Sequence, residues 1–300
     1  MDIRTGLLVG IALVLIGSPP VFGGELGWYR WMDIKEISFG GNVDEMHGVC
    51  TIASEDGEDR RIIYGDRQGQ VHAVRFQKGR FREEWVSIPL KSSVAEVFVA
   101  DIDADGGLEI VAYSEFGDIA FFRASDYRLI WRSGEEEYET ISAMVVSDVD
   151  DDPQLELVFC GEATPDVTGY IPVTRGGSQE EREREREAQV SRLFVYDCKH
   201  LFVEWNSEPG LAAESIAVGD LDDDGIQEIA LNTGFVLDAS YRRVEWRFTE
   251  GFGSKVGYAD VDGDGIPELI GEYRSPTRPR RFLRFFDVDL QSESFLSTGR

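Results

Sequence analysis

The chain has 300 residues, with 57 Asp and Glu against 30 Lys and Arg and a formal net charge of −27. Such an acidic surface repels phosphate backbones and anionic headgroups, which argues against nucleic acid and membrane surfaces as partners. With 42% hydrophobic and 11% aromatic residues the chain is too apolar for a disordered acidic tail, and long enough for one large domain or a repeat array.

Arg4 precedes an apolar run over 7–16, which Ser18, Pro19 and Pro20 break before Gly23. This pattern predicts an export signal over residues 1–23, either cleaved or kept as an N-terminal membrane anchor. The run is too short to cross a bilayer alone, which takes roughly 20 apolar residues. The expected location is therefore secreted, periplasmic or cell-surface. Three cysteines, Cys50, Cys160 and Cys198, show no C-x-x-C spacing and read as buried small apolar residues. Residues 25–44, with Trp28, Tyr29, Trp31 and Phe39, read as one or two short strands and Gly-rich turns.

From residue 45 a repeat sets in. Its clearest unit runs from a strand over 94–99, through an acidic loop over 101–109, to strands over 110–113, 119–122 and 128–131. β-Branched and aromatic runs punctuated by Gly and Asp are the strand and hairpin signals. The unit recurs with acidic loops at Asp148, Asp220 and Asp260. A first, degenerate unit has Ser54-Glu-Asp-Gly57 in place of the loop and Arg60 where the others carry Glu. Loop starts are 47, 72 and 40 residues apart, and the long interval holds an insertion over 163–189 between a second and a third strand. A period of about 40–47 with four strands per unit points to propeller blades. Trp85, Trp131, Trp205 and Trp246 mark the fourth strands, placed to fill space between neighbouring sheets.

The expected fold is all-β: residues 24–300 form a β-propeller of five four-stranded blades, with six or seven as the alternative counts. Blade limits are expected near 45–90, 91–137, 138–208, 209–250 and 251–300. The Trp28–Trp31 segment is expected to close the last blade near Phe295 and Leu296, which would remove exposed sheet edges. The insertion contains the alternating Glu/Arg tract 179–187, has no apolar face, and reads as a mobile surface loop, with a partner-binding loop as the alternative.

The four loops carry carboxylates at positions one, three, five and nine: Asp101, Asp103, Asp105, Glu109; Asp148, Asp150, Asp152, Glu156; Asp220, Asp222, Asp224, Glu228; Asp260, Asp262, Asp264, Glu268. A hard cation such as Ca²⁺ takes six to eight oxygens, and alternating Asp residues on a tight turn aim short carboxylates inward. Gly at position six permits the positive φ that reverses the chain. Position seven offers a backbone carbonyl as a further ligand, at Gly107, Gln154, Ile226 and Ile266. The loop is not an EF-hand, because position twelve is Ala112, Phe159, Leu231 or Gly271 and strands flank it. Up to four Ca²⁺ ions are expected, which would move the formal charge from −27 to −19. Pro153 at position six of the second loop fixes φ negative, so that site is expected to be the weakest.

These D-x-D-x-D-G-x-x-E loops between strands, repeated once per unit, resemble the FG-GAP and VCBS-type repeats of integrin alpha-subunit-like propellers. The resemblance spans about residues 45–290. It implies a calcium-bearing, usually extracellular β-propeller, with ligand roles for the first, third, fifth and ninth loop residues. The ninth residue here is Glu where the family pattern has Asp.

Catalytic patterns are sparse. His47, His72 and His200 are scattered, and neither H-E-x-x-H nor G-x-S-x-G occurs. Two functions remain. One is an exported, monomeric, non-catalytic binding or adhesion module for an extracellular protein or glycan, with calcium holding the fold. The other is an exported polysaccharide lyase or hydrolase on the same scaffold, using carboxylates paired in space rather than in sequence.

Overall fold

A computed structural model describes residues 47–53, 60–77, 80–135, 137–150, 152–163, 191–274 and 281–294. The expected export signal over 1–23, the Trp28–Trp31 segment, the acidic turn 54–57, nearly all of the insertion, and Phe295 with Leu296 lie outside the described residues.

The described residues form five four-stranded antiparallel sheets, each a meander in chain order. The first sheet holds β1 (His47–Ala53), β2 (Arg60–Gly65), β3 (Val71–Gln77) and β4 (Arg80–Val86). The second holds β5 (Val94–Ala100), β6 (Glu109–Ser114), β7 (Ile119–Arg123) and β8 (Leu129–Arg132). The third holds β9 (Tyr138–Ser147), β10 (Glu156–Ala163), β11 (Arg192–Asp197) and β12 (Phe202–Asn206). The fourth holds β13 (Ile216–Gly219), β14 (Glu228–Leu231), β15 (Phe235–Asp238) and β16 (Arg243–Arg247). The fifth holds β17 (Lys255–Ala259), β18 (Glu268–Arg274), β19 (Arg281–Asp287) and β20 (Ser292–Ser294). First strands stand side by side: β1 meets β5, β9 meets β13, and β13 meets β17. This is a five-bladed β-propeller, as the repeat predicts. The insertion falls between β10 and β11, second and third strands of one blade.

Burial follows strand position. β6 is buried along its whole length and β7 all but its last residue, whereas β8 is exposed or half-buried throughout. A middle strand covered on both faces must be a continuous apolar run, and Ile110-Val-Ala-Tyr113 is one. Each successive pair of sheets encloses its own apolar layer. Val111, Phe121 and Ile119 of the second sheet pack on Leu157, Phe159 and Phe194 of the third. Similar layers join the first and second sheets, the third and fourth, and the fourth and fifth.

The four tryptophans lie in these layers. Trp85 meets Phe122 and Tyr127 of the next sheet at 5.0 and 4.9 Å between ring centres. Trp131 lies 5.1 Å from Tyr196, and Trp246 lies 5.1 Å from Phe252. Trp205 packs on the layer between the third and fourth sheets. A buried serine two residues after three of them ties the fourth strand to the third: Ser87, Ser133 and Ser207 each accept through Oγ the N–H of Val71, Ile119 or Leu193. Cys160 and Cys198 are buried and Cys50 is half-buried, all as free thiols. No helix of the described residues is long and apolar enough to cross a membrane.

A second contact between blades comes from the hairpin joining third and fourth strands. Its last residue adopts φ near +60° in four sheets, at Tyr127, Leu201, Arg242 and Gln291. From there the side chain reaches the preceding sheet. Tyr127 donates to Glu84 at 2.8 Å, Arg242 to Glu204 at 2.9 Å, and Gln291 to the backbone carbonyl of Glu245 at 3.3 Å. Glu84, Glu204 and Glu245 are the residues just before three of the tryptophans, so a Glu-Trp pair in each of those three sheets makes both a polar and an apolar contact with its neighbour.

Candidate metal centres

Each acidic loop joins a first strand to a second, and its ninth residue opens that second strand: Glu109, Glu156, Glu228 and Glu268 begin β6, β10, β14 and β18. Arg60 begins β2 in the same way, so the first sheet keeps the register without the carboxylate.

The loop backbone is wound around its own carboxylates. The first residue accepts from the sixth: Gly106, Gly225 and Gly265 N–H donate to Asp101, Asp220 and Asp260 at 2.9, 3.1 and 3.1 Å. The fifth accepts from the seventh: Gly107, Gln154, Ile226 and Ile266 N–H donate to Asp105, Asp152, Asp224 and Asp264 at 2.7 to 3.0 Å. The ninth accepts from the second: Ile102, Val149, Leu221 and Val261 N–H donate to Glu109, Glu156, Glu228 and Glu268 at 2.6 to 3.3 Å. Glycines at position six have φ of +88°, +87° and +100°, as predicted. Position four is also left-handed, at Ala104 (+58°), Asp223 (+59°) and Gly263 (+83°). Asp and Gly tolerate that conformation; Ala104 bears its cost.

Carboxylate oxygens converge to within 4.8 Å of one another in all four loops. In the first three the converging set is positions one, three and nine: Asp101, Asp103, Glu109; Asp148, Asp150, Glu156; Asp220, Asp222, Glu228. In the fourth it is positions one, three and five, Asp260, Asp262 and Asp264, all exposed. Asp105, Asp152 and Asp224 stand outside the set in their loops, and so does Glu268 in the fourth. At position seven, at Gly107, Gln154, Ile226 and Ile266, the structure shows a donating N–H.

Sequence reasoning overlooked the second loop residue. Ile102, Val149 and Leu221 are buried in the layer shared with the following sheet, which anchors each loop from below. The repeated apolar residue at that position was the available signal. Val261 is 43% exposed, so the fourth loop lacks that anchor, in keeping with its exposed carboxylates.

The ninth residues lie at the bottom of the sites. Glu109, Glu156 and Glu228 are 1–3% exposed. Burial first, then the neighbouring Asp charges, pushes their carboxyls up to about 7, 8 and 8, against the N–H bond each accepts. Burial and Asp neighbours also push Asp150 and Asp222 upward. Three or four carboxylates held this close repel one another, and a divalent cation would remove that cost. Asp220 supplies a direct test of fit: its Oδ1 is shut off from water and accepts no hydrogen bond. A buried carboxylate oxygen without a donor is a costly feature, and a metal ion is a partner that needs no proton.

No family model matches the sequence, and no curated protein matches it. Among solved structures the chain is similar to Sqt1 of Saccharomyces cerevisiae, at 14% identity and TM-score 0.56, over 85% of this chain and 62% of that one. It is similar to the V. cholerae biofilm matrix protein Bap1, at 16% and 0.51, over 81% and 38%. It is also similar to the computationally designed Ika8 protein, at 11% and 0.52, over 86% and 63%. The chain spans less than two thirds of each of these proteins. At such identities the likeness is one of fold alone.

Proposed function

We propose that the chain is an exported, calcium-stabilised propeller of the FG-GAP or VCBS type that acts as a non-catalytic binding or adhesion module for an extracellular protein or glycan. The observation that carries the calcium part is the convergence of carboxylate oxygens in all four acidic loops, with an unpartnered buried oxygen on Asp220. Hard, flexible, all-oxygen sites favour Ca²⁺ over Mg²⁺, which demands tighter octahedral geometry and keeps its waters. In the third loop Asp220, Asp222 and Glu228 would hold the ion, with Asp224 and the carbonyl of Ile226 as the further ligands that the loop pattern implies. Occupied at a hundredfold excess over its dissociation constant, each site would stabilise the fold by about 2.7 kcal/mol.

The binding part rests on the scaffold. A rigid propeller carries its variable parts on loops, here above all the insertion between β10 and β11. The test has two arms. Thermal melts of the chelator-stripped protein with and without added calcium, with elemental analysis, should show metal and a rise in melting temperature; no metal and no shift refute the calcium reading. Screening the calcium-loaded protein on glycan and protein arrays, with reducing-end and unsaturated-sugar assays on any bound glycan, should give binding without product. Product formation lost on replacing an acid outside the four loops would establish the enzyme instead.

A further inference from the structure

The hairpins between third and fourth strands lean back over the preceding sheet, at the end where its acidic loop lies. Asp197, Asp238 and Asp287 end three of the third strands, and each caps its hairpin by accepting the N–H three residues on, at 2.6 to 2.7 Å. From these fixed points the residues that follow differ in charge. Two residues on stand Lys199, Ser240 and Asp289; four residues on stand Leu201, Arg242 and Gln291.

Between the fourth and fifth sheets this makes a cleft of about 480 Å³. It is lined by Asp222 of the third acidic loop, by Arg243, Glu245 and Trp246 of β16, and by Asp289 and Gln291 of the next hairpin. Asp289 is exposed there and pushes the Asp222 carboxyl in the same direction as burial, Asp224 and Asp220 do. Between the third and fourth sheets the corresponding place holds a cation. The Arg242 side chain is 14% exposed; Nη2 donates to Glu204, and Nη1 is out of water with no hydrogen-bond partner. Burial and Asp152 push the Asp150 carboxyl of the second loop up, while the Arg242 guanidinium pulls it down. In that same loop the side-chain amide of Gln154 donates to Asp152 Oδ2 while its N–H donates to Oδ1, so both oxygens of the fifth residue are engaged.

We propose that the hairpin of the following sheet sets the cation affinity of each acidic loop: Asp289 adds a fifth carboxylate beside the third loop, whereas Arg242 brings positive charge toward the second. The inference rests on the calcium reading above and ranks its sites, the third tightest and the second weakest. It locates the weakness of the second site in its neighbour as well as in Pro153.

The experiment is calorimetric calcium titration of the chelator-stripped full chain and of Asp289→Asn, Arg242→Gln, Asp220→Asn and the Asp220→Asn/Asp289→Asn pair, each checked for native circular dichroism. The expected result is a tightest site weakened about tenfold by Asp289→Asn, the size of one lost charge contact. Asp220→Asn removes that site, and adding Asp289→Asn to it changes nothing further. Arg242→Gln tightens the weakest site by a similar factor. A tightest constant within twofold of wild type in Asp289→Asn overturns the inference while leaving the calcium reading intact. A wild-type protein that binds no calcium overturns both. Should Arg242→Gln lose its native spectrum, the Asp220/Asp289 pair still decides.

Discussion

Replacing Glu228 by Gln is expected to move the melting temperature in opposite directions with and without calcium. The side chain is 1% exposed, and Oε2 accepts the Leu221 N–H at 2.6 Å. Burial first, then Asp222, Asp224 and Asp220, pushes its carboxyl to about 8. At pH 9 without calcium the folded protein must hold this group charged. The rise from 4.5 to about 8, at about 1.36 kcal/mol per pH unit, bounds the cost at about 5 kcal/mol. Relaxation of the site and water entry on ionisation lower the burial part, and water at the open rim screens the Asp part, which together leave about 1–2 kcal/mol. Gln keeps an oxygen for Leu221 and brings an N–H₂ group beside the unpartnered Oδ1 of Asp220. The chelated variant should therefore melt about 2–8 °C above wild type at pH 9, at about 2–4 °C per kcal/mol. At pH 4 the Glu is protonated in the folded protein and largely so in the unfolded chain, and the two should melt together. In excess calcium the variant lacks a ligand and should lose most of the stabilisation of about 2.7 kcal/mol that a hundredfold-saturated site contributes. Scanning calorimetry in chelator and in calcium at the two pH values decides. A chelated variant less stable than wild type at pH 9, or an undiminished calcium shift, refutes the reasoning.

Three further outcomes follow from the same geometry. Glu109, Glu156 and Glu228 are raised to about 7, 8 and 8, so the folded chelated protein binds more protons than the unfolded chain from about pH 4.5 upward. Its stability should be full below that pH and fall as pH rises through 7 to 8, and calcium should reverse the fall; a chelated melt that rises across this window contradicts the raised values. Ala104→Gly should stabilise by about 1 kcal/mol, because it relieves a left-handed Ala at φ +58°; denaturant unfolding measures it, and a loss of stability refutes the strain. Gly117→Ala should destabilise by about 3 kcal/mol or more, because at φ +79° its Cβ would lie 2.0 Å from the Tyr138 carbonyl oxygen. A Gly117→Ala protein with an unchanged unfolding midpoint would show that this close approach is not real.

Much of the fold is legible in the chain because a blade repeats its physics. Four short strands, an Asp-rich turn and a Trp recur every 40 or so residues, and a buried middle strand has to be an unbroken apolar run, so blade limits and loop register can be read in order. Within each acidic loop, the turn itself follows from local rules: Gly at position six, Asp side chains bonded to their own backbone, a strand starting at position nine. The Trp-x-Ser link and the apolar second loop residue were present as patterns too, at Trp85-Val-Ser87 or Ile102, but their use depends on what lies across the interface.

What the chain by itself determines is thus the propeller, its five units and the four places where carboxylates gather. Tertiary structure alone decides how those places differ. It brings a buried Glu into the converging set of the first three loops, whereas the set of the fourth, Asp260, Asp262 and Asp264, is exposed, and it sets Arg242 beside one loop and Asp289 beside the next. The reason is physical: a turn is closed by hydrogen bonds over a few residues, but desolvation and charge act through space, and at these loops the deciding groups come from another blade, some 70 to 90 residues further along the chain.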